Sequence, residues 1–242
     1  MRSLTTSVLI ASLVGGCASG PNSDPRDPIE PLNRAVYSFN NDLLDQVLLK
    51  PLAEVYNHVV PDPVSERVSC FFSNLGDVVV TGNDLLQLKF SQGLQDGIRF
   101  VYNTTFGLGG LFDVATVWGL PKHNADFGQT LGYWGVGPGP YLVLPLVGPR
   151  TARDAVGLVT DSSLNLLYQI DPVATRNKVV ALSIVDTRSN LLGAGNVLQE
   201  AALDPYLFVR DAYLQRRENL VRDAQQPADD AVDGATSEKV TK

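Results

Sequence analysis

Phe127-Gly128-Gln129-Thr130-Leu131-Gly132-Tyr133-Trp134-Gly135-Val136-Gly137-Pro138-Gly139-Pro140-Tyr141-Leu142-Val143-Leu144-Pro145 settles which architectures are open to this chain. Glycine lets backbones approach closely and turn with positive φ. Proline withholds a donor and stops long helices. The same character extends from Gly107 to Pro149, through Gly107, Gly109, Gly110, Gly119, Pro121 and Pro149. Both tryptophans, Trp118 and Trp134, lie here, with Phe106, Phe112, Phe127, Tyr133 and Tyr141. The pattern predicts short helices and tight turns with aromatic and aliphatic surface between them. Leu142 to Val147 is apolar except for Pro145. It is too short to cross a bilayer and long enough to dip into one.

On either side the periodicity turns helical. Asp27-Pro28-Ile29-Glu30-Pro31 opens a helix in which Leu32, Val36, Phe39, Leu43 and Val47 recur, with Asn33, Asn40, Asn41 and Asp45 on other faces. This amphipathic segment either lies on a membrane or packs on its own core; periodicity leaves both open. Lys50-Pro51 and Val60-Pro61-Asp62-Pro63 predict breaks. Residues 64–89 read as helical with an interruption near Gly76 to Gly82, and Ser91 as the cap of a helix carrying Leu94, Ile98 and Val101. Val180, Ile184, Leu191 and Leu198 mark one face of a long helix from about Ala174 to Ala201. Asp204 reads as the N-cap of a last helix with Pro205 in its first turn, and Leu203 and Phe208 have the spacing of a hydrophobic staple.

At the other end, Arg2, the apolar run Ser7 to Val14 and Gly15-Gly16-Cys17 have the layout of a bacterial lipoprotein signal. Residues 1–16 would then be removed and Cys17 would carry acyl chains. At about 0.8 kcal/mol per buried methylene, two or three chains make a lasting anchor. Ala18 after the cysteine, by resemblance to bacterial sorting rules, favours the outer membrane. Residues 17–26 form a lipidated polar tether, and residues 223–242, rich in Ala, Asp, Gln and Pro, an acidic tail expected to be disordered.

Removing residues 1–16 leaves 226 residues with 18 basic and 26 acidic side chains, net −8. That length suits one sizeable domain, here residues 27–222. An acidic chain is a poor candidate for nucleic acid or for electrostatic docking on anionic lipid. Besides Cys17 there is only Cys70, next to Phe71 and Phe72, which reads as a small core residue. His58 and His123 sit in no metal motif, and no G-x-S-x-G elbow occurs. The glycine runs at Gly107 and Gly135 lack the strand-before, helix-after setting of phosphate loops. His123 with Asp126 reads as a surface turn rather than a proton pair. Arg210, Arg216, Arg217 and Arg222 read as a solvated helix face, with lipid phosphates or an acidic partner as the alternative. No catalytic residue, metal or cofactor is expected.

Four blocks resemble the MlaA/VacJ family of outer-membrane lipoproteins. They are Asp27-Pro28-Ile29-Glu30-Pro31-Leu32-Asn33-Arg34, Asn103 to Ala115, Phe127 to Pro145, and Asp204-Pro205-Tyr206 through Tyr213, in the family's order. The resemblance covers residues 27–220 and implies an all-α fold: a single ring-shaped domain of amphipathic helices with a central channel, seated in the periplasmic leaflet of the outer membrane. It implies removal of mislocalised phospholipids from the outer leaflet, their passage to a periplasmic MlaC-like carrier, and outer-membrane porin trimers that hold the ring. The channel and turn residues expected from these blocks are Asn103, Thr104, Gly107, Gly109, Gly110, Asp113, Gly128, Gln129, Thr130, Gly132, Gly135, Gly137, Gly139 and Pro140, with Cys17 the lipidation site. For Asp113, a helix cap is the favoured alternative. A structural lipoprotein that docks porins without a channel is the competing reading. A channel predicts a through-going polar cavity; a scaffold predicts a filled core.

Overall fold

The computed structural model describes residues 24–195 and 202–225. The expected signal, Cys17, most of the tether, Leu198 and the tail beyond Gln225 lie outside the described residues.

Helix α1 (Glu30–Ser38) places Pro31 in its first turn, where the missing N–H leaves no bond unmade. It runs without a break into a π-helical stretch, Phe39–Leu49, and on into α2 (Lys50–Val59). The stop expected at Lys50-Pro51 is therefore a change of hydrogen-bond register. Leu49 and Lys50 keep right-handed helical dihedrals, and a residue without an N–H suits the switch from i→i−5 to i→i−4 bonding. The chain does turn at Val60 and Pro61, both extended.

Helix α3 (Asp62–Leu86) is continuous through Gly76, Val78-Val79-Val80 and Gly82, with no interruption. Each interior glycine costs about 1 kcal/mol. The antiparallel packing of α3 on α4 (Phe90–Thr105) offsets that cost. The two approach closely because α4 presents glycines. A Cβ on Gly93 would sit 3.0 Å from Leu85 Cδ2, and one on Gly97 would sit 3.5 Å from Thr81 Cγ2. α4 starts at Phe90, so Ser91 lies inside its first turn instead of capping it.

Short helices follow as the glycine spacing predicts: α5 (Val114–Val117) and α6 (Phe127–Tyr133). Among the described residues the one departure from helices and turns is a hairpin of β1 (Tyr141–Leu144) and β2 (Gly148–Thr151), antiparallel, with Tyr141 opposite Thr151 and Leu144 opposite Gly148. Alternation in Tyr-Leu-Val-Leu turns Tyr141 and Val143 into the core, so β1 packs inward, and Leu146 and Val147 at the turn are the exposed apolar residues. α7 (Ala152–Leu164), a 3-10 turn (Leu166–Gln169), α8 (Val173–Asn190) and α9 (Pro205–Gln225) follow.

α8 closes at Asn190; after a turn at Leu191, residues 192–195 are helical again, and the rest of the stretch expected to run to Ala201 lies outside the described residues. Asp204 does cap α9, accepting from the Leu207 amide at 3.1 Å. No staple accompanies it, because Leu203 is fully exposed and Phe208 more than half exposed. α9 continues past Arg222 to Gln225, and Ala224 is buried.

The apolar core is small: Tyr141, Val143 and Tyr206, with Val36, Tyr37, Leu207, Tyr213 and Leu214 against them. Elsewhere the buried apolar residues are few and mostly small (Ala53, Val79, Val80, Ala115, Ala125, Leu167 and Ala224), and most of the interior is polar. Asp77, Asn83, Asp84, Asp96, Arg99 and Thr130 are among side chains almost wholly withdrawn from solvent. Large apolar residues sit outside: Leu32, Leu43, Val47, Val55 and Val59 of the first helical run are all more than half exposed. Most of its large apolar side chains are thus turned outward, while Val36 and Tyr37 lie against the core and Asn33 and Ala53 are buried. No helix among the described residues is long and apolar enough to cross a membrane.

Candidate functional site

Three buried polar clusters hold the glycine-rich region to the helices. In the first, Arg99 on α4 is buried and its guanidinium donates to both carboxylate oxygens of Asp113, at 3.1 and 3.0 Å, and to Thr116 Oγ1 at 3.0 Å. Asp113 caps α5 through the Thr116 amide. Burial raises the Asp113 carboxyl, but hydrogen bonds from Thr116, Asn103 and Arg99 outweigh it and hold the group down at about 2. Asn103, also buried, donates to Asp113 at 3.0 Å and accepts from the Ala115 amide at 2.9 Å. The turn between them folds so tightly that a Cβ on Gly107 would strike the carbonyls of Asn103 and Phe112. Gly110 has φ +93°, with the Asn74 side chain directly where a Cβ would project. Thr104 is exposed and accepts from Asn74 Nδ2 at 3.0 Å.

The second cluster centres on α6. Asp126 caps it, accepting from the Gln129 amide at 2.8 Å, while the buried Gln129 side chain donates back to the same carboxylate at 3.0 Å. Arg217 on α9 donates to Asp126 at 2.5 and 2.9 Å and to Asp154 at 2.9 Å. Tyr213 donates to Asp154 at 2.7 Å. Burial pushes both carboxyls up, but their hydrogen bonds and the Arg217 charge win and leave both below the usual range. Thr130 donates to Asn83 at 2.8 Å and accepts from Gln87 at 3.0 Å. Gly128 meets Gly157 of α7 backbone to backbone, and Gly132 lies under Val221 and Arg153. Gly109, Gly135, Gly137, Gly139 and Pro140 lie on exposed turns, and the Pro140 carbonyl accepts from the Ala152 amide.

The third cluster was not foreseen. Asp96, wholly buried, faces His123, whose Nδ1 lies 2.8 Å from Oδ2. His123 therefore pairs with Asp96 and not with Asp126, which is taken by Arg217. Asp84 is buried alongside, and burial and Asp96 together push its carboxyl up to about 7. Among the described residues no group of three His, Cys, Asp or Glu side chains could hold a metal ion. Cys70 is free and half-buried.

The four arginines of α9 part ways. Arg210 is buried against Asp24, Asp27 and Asp211, and Arg217 against Asp126 and Asp154, so neither belongs to a solvated face. Arg222 bonds to Asn219 at 2.5 Å. Arg216 is exposed, at a polar cavity of about 300 Å³ that Gln129, Arg150, Asp154, Asp161, Tyr213 and Arg217 also line. The Asp126 cap could have been found in the sequence, because Asp-x-x-Gln before an aromatic is a capping-box spacing. Its bond to Arg217 has no local signal.

The model of the MlaA lipoprotein family matches residues 25–220. A protein of Rickettsia bellii is 38% identical over 213 residues, 88% of this chain and 81% of its own length. The intermembrane phospholipid transport system lipoprotein MlaA of Escherichia coli K12 is 36% identical over 220 residues, 89% of this chain and 87% of its own. A solved structure described as the structural basis for maintenance of bacterial outer membrane lipid asymmetry superposes with a TM-score of 0.71 at 34% identity, covering 81% of this chain and 98% of that one. With model, relatives and solved fold agreeing over most of its length, this chain belongs to the MlaA lipoprotein family.

Proposed function

We propose that this chain is a lipid-anchored component of an intermembrane phospholipid transport system, working at the periplasmic face of the outer membrane to maintain lipid asymmetry. The observation that carries the reading is the inverted distribution of polarity. Most large apolar residues of the first helical run face outward, while polar and charged side chains outnumber apolar ones among the buried residues. Water penalises such a surface and hydrocarbon accepts it. The names of the curated relatives support phospholipid as the cargo.

In the finer form of this proposal, the helices ring an amphipathic channel in the periplasmic leaflet. Phospholipids leave the outer leaflet through it and pass to an MlaC-like periplasmic carrier, and porin trimers hold the ring. Acylated Cys17 anchors it, with residues 17–26 as tether. Asn103, Asp113, Gln129 and Thr130 then hold the wall together, because each is bonded to protein. That same satisfaction favours the scaffold as a second reading. Reconstitution separates the two. Proteoliposomes holding the purified lipoprotein should release phospholipid to the soluble carrier faster than empty ones. Carrier loading no faster than from empty vesicles, with porin binding retained, would leave the scaffold.

A further inference from the structure

We infer that the cavity between β2, α6, α7 and α9 is a phosphate-binding site, with Arg150 and Arg216 as its cationic groups. The cavity, about 300 Å³, is of a size to take a phosphate ester. Its lining mixes guanidiniums and carboxylates, and the bonding pattern shows which are already engaged. Arg217 is shared between Asp126 and Asp154. Asp126 also holds Gln129, and Asp154 also holds Tyr213 and Arg153. Asp161 accepts from the Phe127 amide and from Asn83.

Two cations remain. Among the described residues Arg150 donates only to its neighbour's carbonyl, Pro149 O, and has no carboxylate partner. Arg216 makes no hydrogen bond or ion pair among the described residues. They come from separate elements, the β-hairpin and the last helix, and converge on one cavity. A guanidinium presents its donors in a planar fork that matches a phosphate oxyanion two bonds at a time, so two such forks favour phosphate over a lone carboxylate. Arg217, already neutralised, fixes the floor: Asp126 and Asp154 hold it between α6 and α7, so the site is shaped before a ligand arrives.

Phosphate is the chemistry recognised. Its source is either a phospholipid headgroup or a free phosphate. The inference deepens the transport reading, which it needs only to say what carries the phosphate.

The test uses the full lipoprotein in a non-ionic detergent. Titration with inorganic phosphate, glycerophosphoethanolamine and dihexanoyl phosphatidylethanolamine, each followed calorimetrically, should show saturable binding that weakens as salt is raised. Arg150→Gln with Arg216→Gln should weaken it at least tenfold, Arg150→Lys with Arg216→Lys should lose less, and Arg67→Gln, remote from the cavity, should change nothing. Tighter binding of the short-chain lipid than of both soluble probes assigns the site to a headgroup; equal binding assigns it to phosphate itself. In the wild-type protein, bound phosphate should also slow modification of Arg150 and Arg216 by an arginine-specific dicarbonyl reagent, a readout that needs no variant to fold. Saturable binding undiminished in the double Gln variant, or no phosphate binding and no protection in the wild type, overturns the site. Lost phosphate binding with normal lipid transfer upholds the site and removes it from the transport route.

Discussion

The Asn33 side-chain oxygen accepts the Val143 amide at 2.9 Å, and its nitrogen donates to the Tyr141 carbonyl at 3.0 Å, so one side chain from α1 completes the open edge of β1. One helical turn pair later, Asn40 repeats the device, donating to Leu144 O at 2.8 Å and accepting from Leu146 N at 2.9 Å. A two-stranded hairpin is marginal alone. Here its edge is satisfied by side chains of the amphipathic run. Asn33→Ala leaves a buried amide and a carbonyl unpaired, and each orphan costs about 1–3 kcal/mol. Chemical denaturation should show a loss of about 2–4 kcal/mol. A loss under 0.5 kcal/mol would mean that water replaces the amide.

This bond also shows how far the sequence could be read. The 3.6-residue period of Leu32, Val36, Phe39, Leu43 and Val47 made the helix legible, and Asp204-Pro205 made the start of α9 legible, because both signals are local. The hairpin was missed. Tyr141 to Leu144 is too short for its period to speak; it pairs with Gly148 to Thr151, and its other edge is held by Asn33, more than a hundred residues away. Gly76 and Gly82 misled in the other direction, since the packing that keeps α3 helical lies on α4. At the site, Asp113 was legible as a cap; its Arg99 partner, and the joining of Asp126 to Arg217, are tertiary facts without sequence spacing to announce them.

The glycines divide into two kinds. Gly110 needs φ +93°, and a Cβ there would lie 2.6 Å from Asn74 Nδ2. Gly137 has nothing within 4 Å of the same position. Gly110→Ala should cost about 1–3 kcal/mol from strain and overlap, whereas Gly137→Ala should stay within about 0.5 kcal/mol. Thermal melts of the two variants compare them directly. Gly137→Leu is then the informative test of lipid handling, since it adds bulk without a folding penalty. Equal destabilisation at both positions would contradict this division.

Stability should fall as the medium moves from mildly acidic to neutral. Asp84 sits at about 7 in the fold against 3.8 as an ordinary carboxyl, so folding takes up a proton between those values. The contribution is complete below about pH 4 and is lost as pH rises through about 7. His123, raised by its bond to Asp96, acts in the same direction at higher pH. Asp113, held down at about 2, does the reverse, and its contribution disappears only as pH falls toward that value. Urea midpoints measured from pH 4 to 8 should decline in the wild type. Asp84→Asn, which cannot titrate, should flatten that decline by on the order of 1–3 kcal/mol. Parallel profiles for the two proteins would dismiss the Asp84 carboxyl as the cause.

Leu146 holds φ +67° at the hairpin turn and is 79% exposed. A leucine there costs about 1 kcal/mol in backbone strain and leaves an apolar side chain in solvent. Asparagine tolerates this conformation far better. Leu146→Asn should therefore stabilise the fold by a few tenths to about 1 kcal/mol. If the leucine is kept to touch lipid, the same variant should transfer phospholipid more slowly. A variant both less stable and fully active would mean that neither strain nor lipid contact explains the residue.

The outward apolar face of the first helical run supplies the last test. Leu43 and Val47 are 53% and 66% exposed, one turn apart, and make no part of the buried core. A soluble surface gains from replacing them with charge; a surface in hydrocarbon loses about 2.5–3.5 kcal/mol for each charge held at membrane depth. Leu43→Glu with Val47→Glu should leave the helical circular dichroism and the melting temperature of the detergent-solubilised protein within a few degrees of wild type. In vesicles, the variant should be extracted by a high-pH wash that leaves the wild type bound, if Cys17 is left unacylated in both so that the anchor cannot mask the effect. In cells, outer-leaflet phospholipid should rise and detergent resistance should fall. Unchanged vesicle binding together with normal outer-leaflet phospholipid would show that this face meets something other than lipid, and the inverted polarity would then have to be explained by a protein partner.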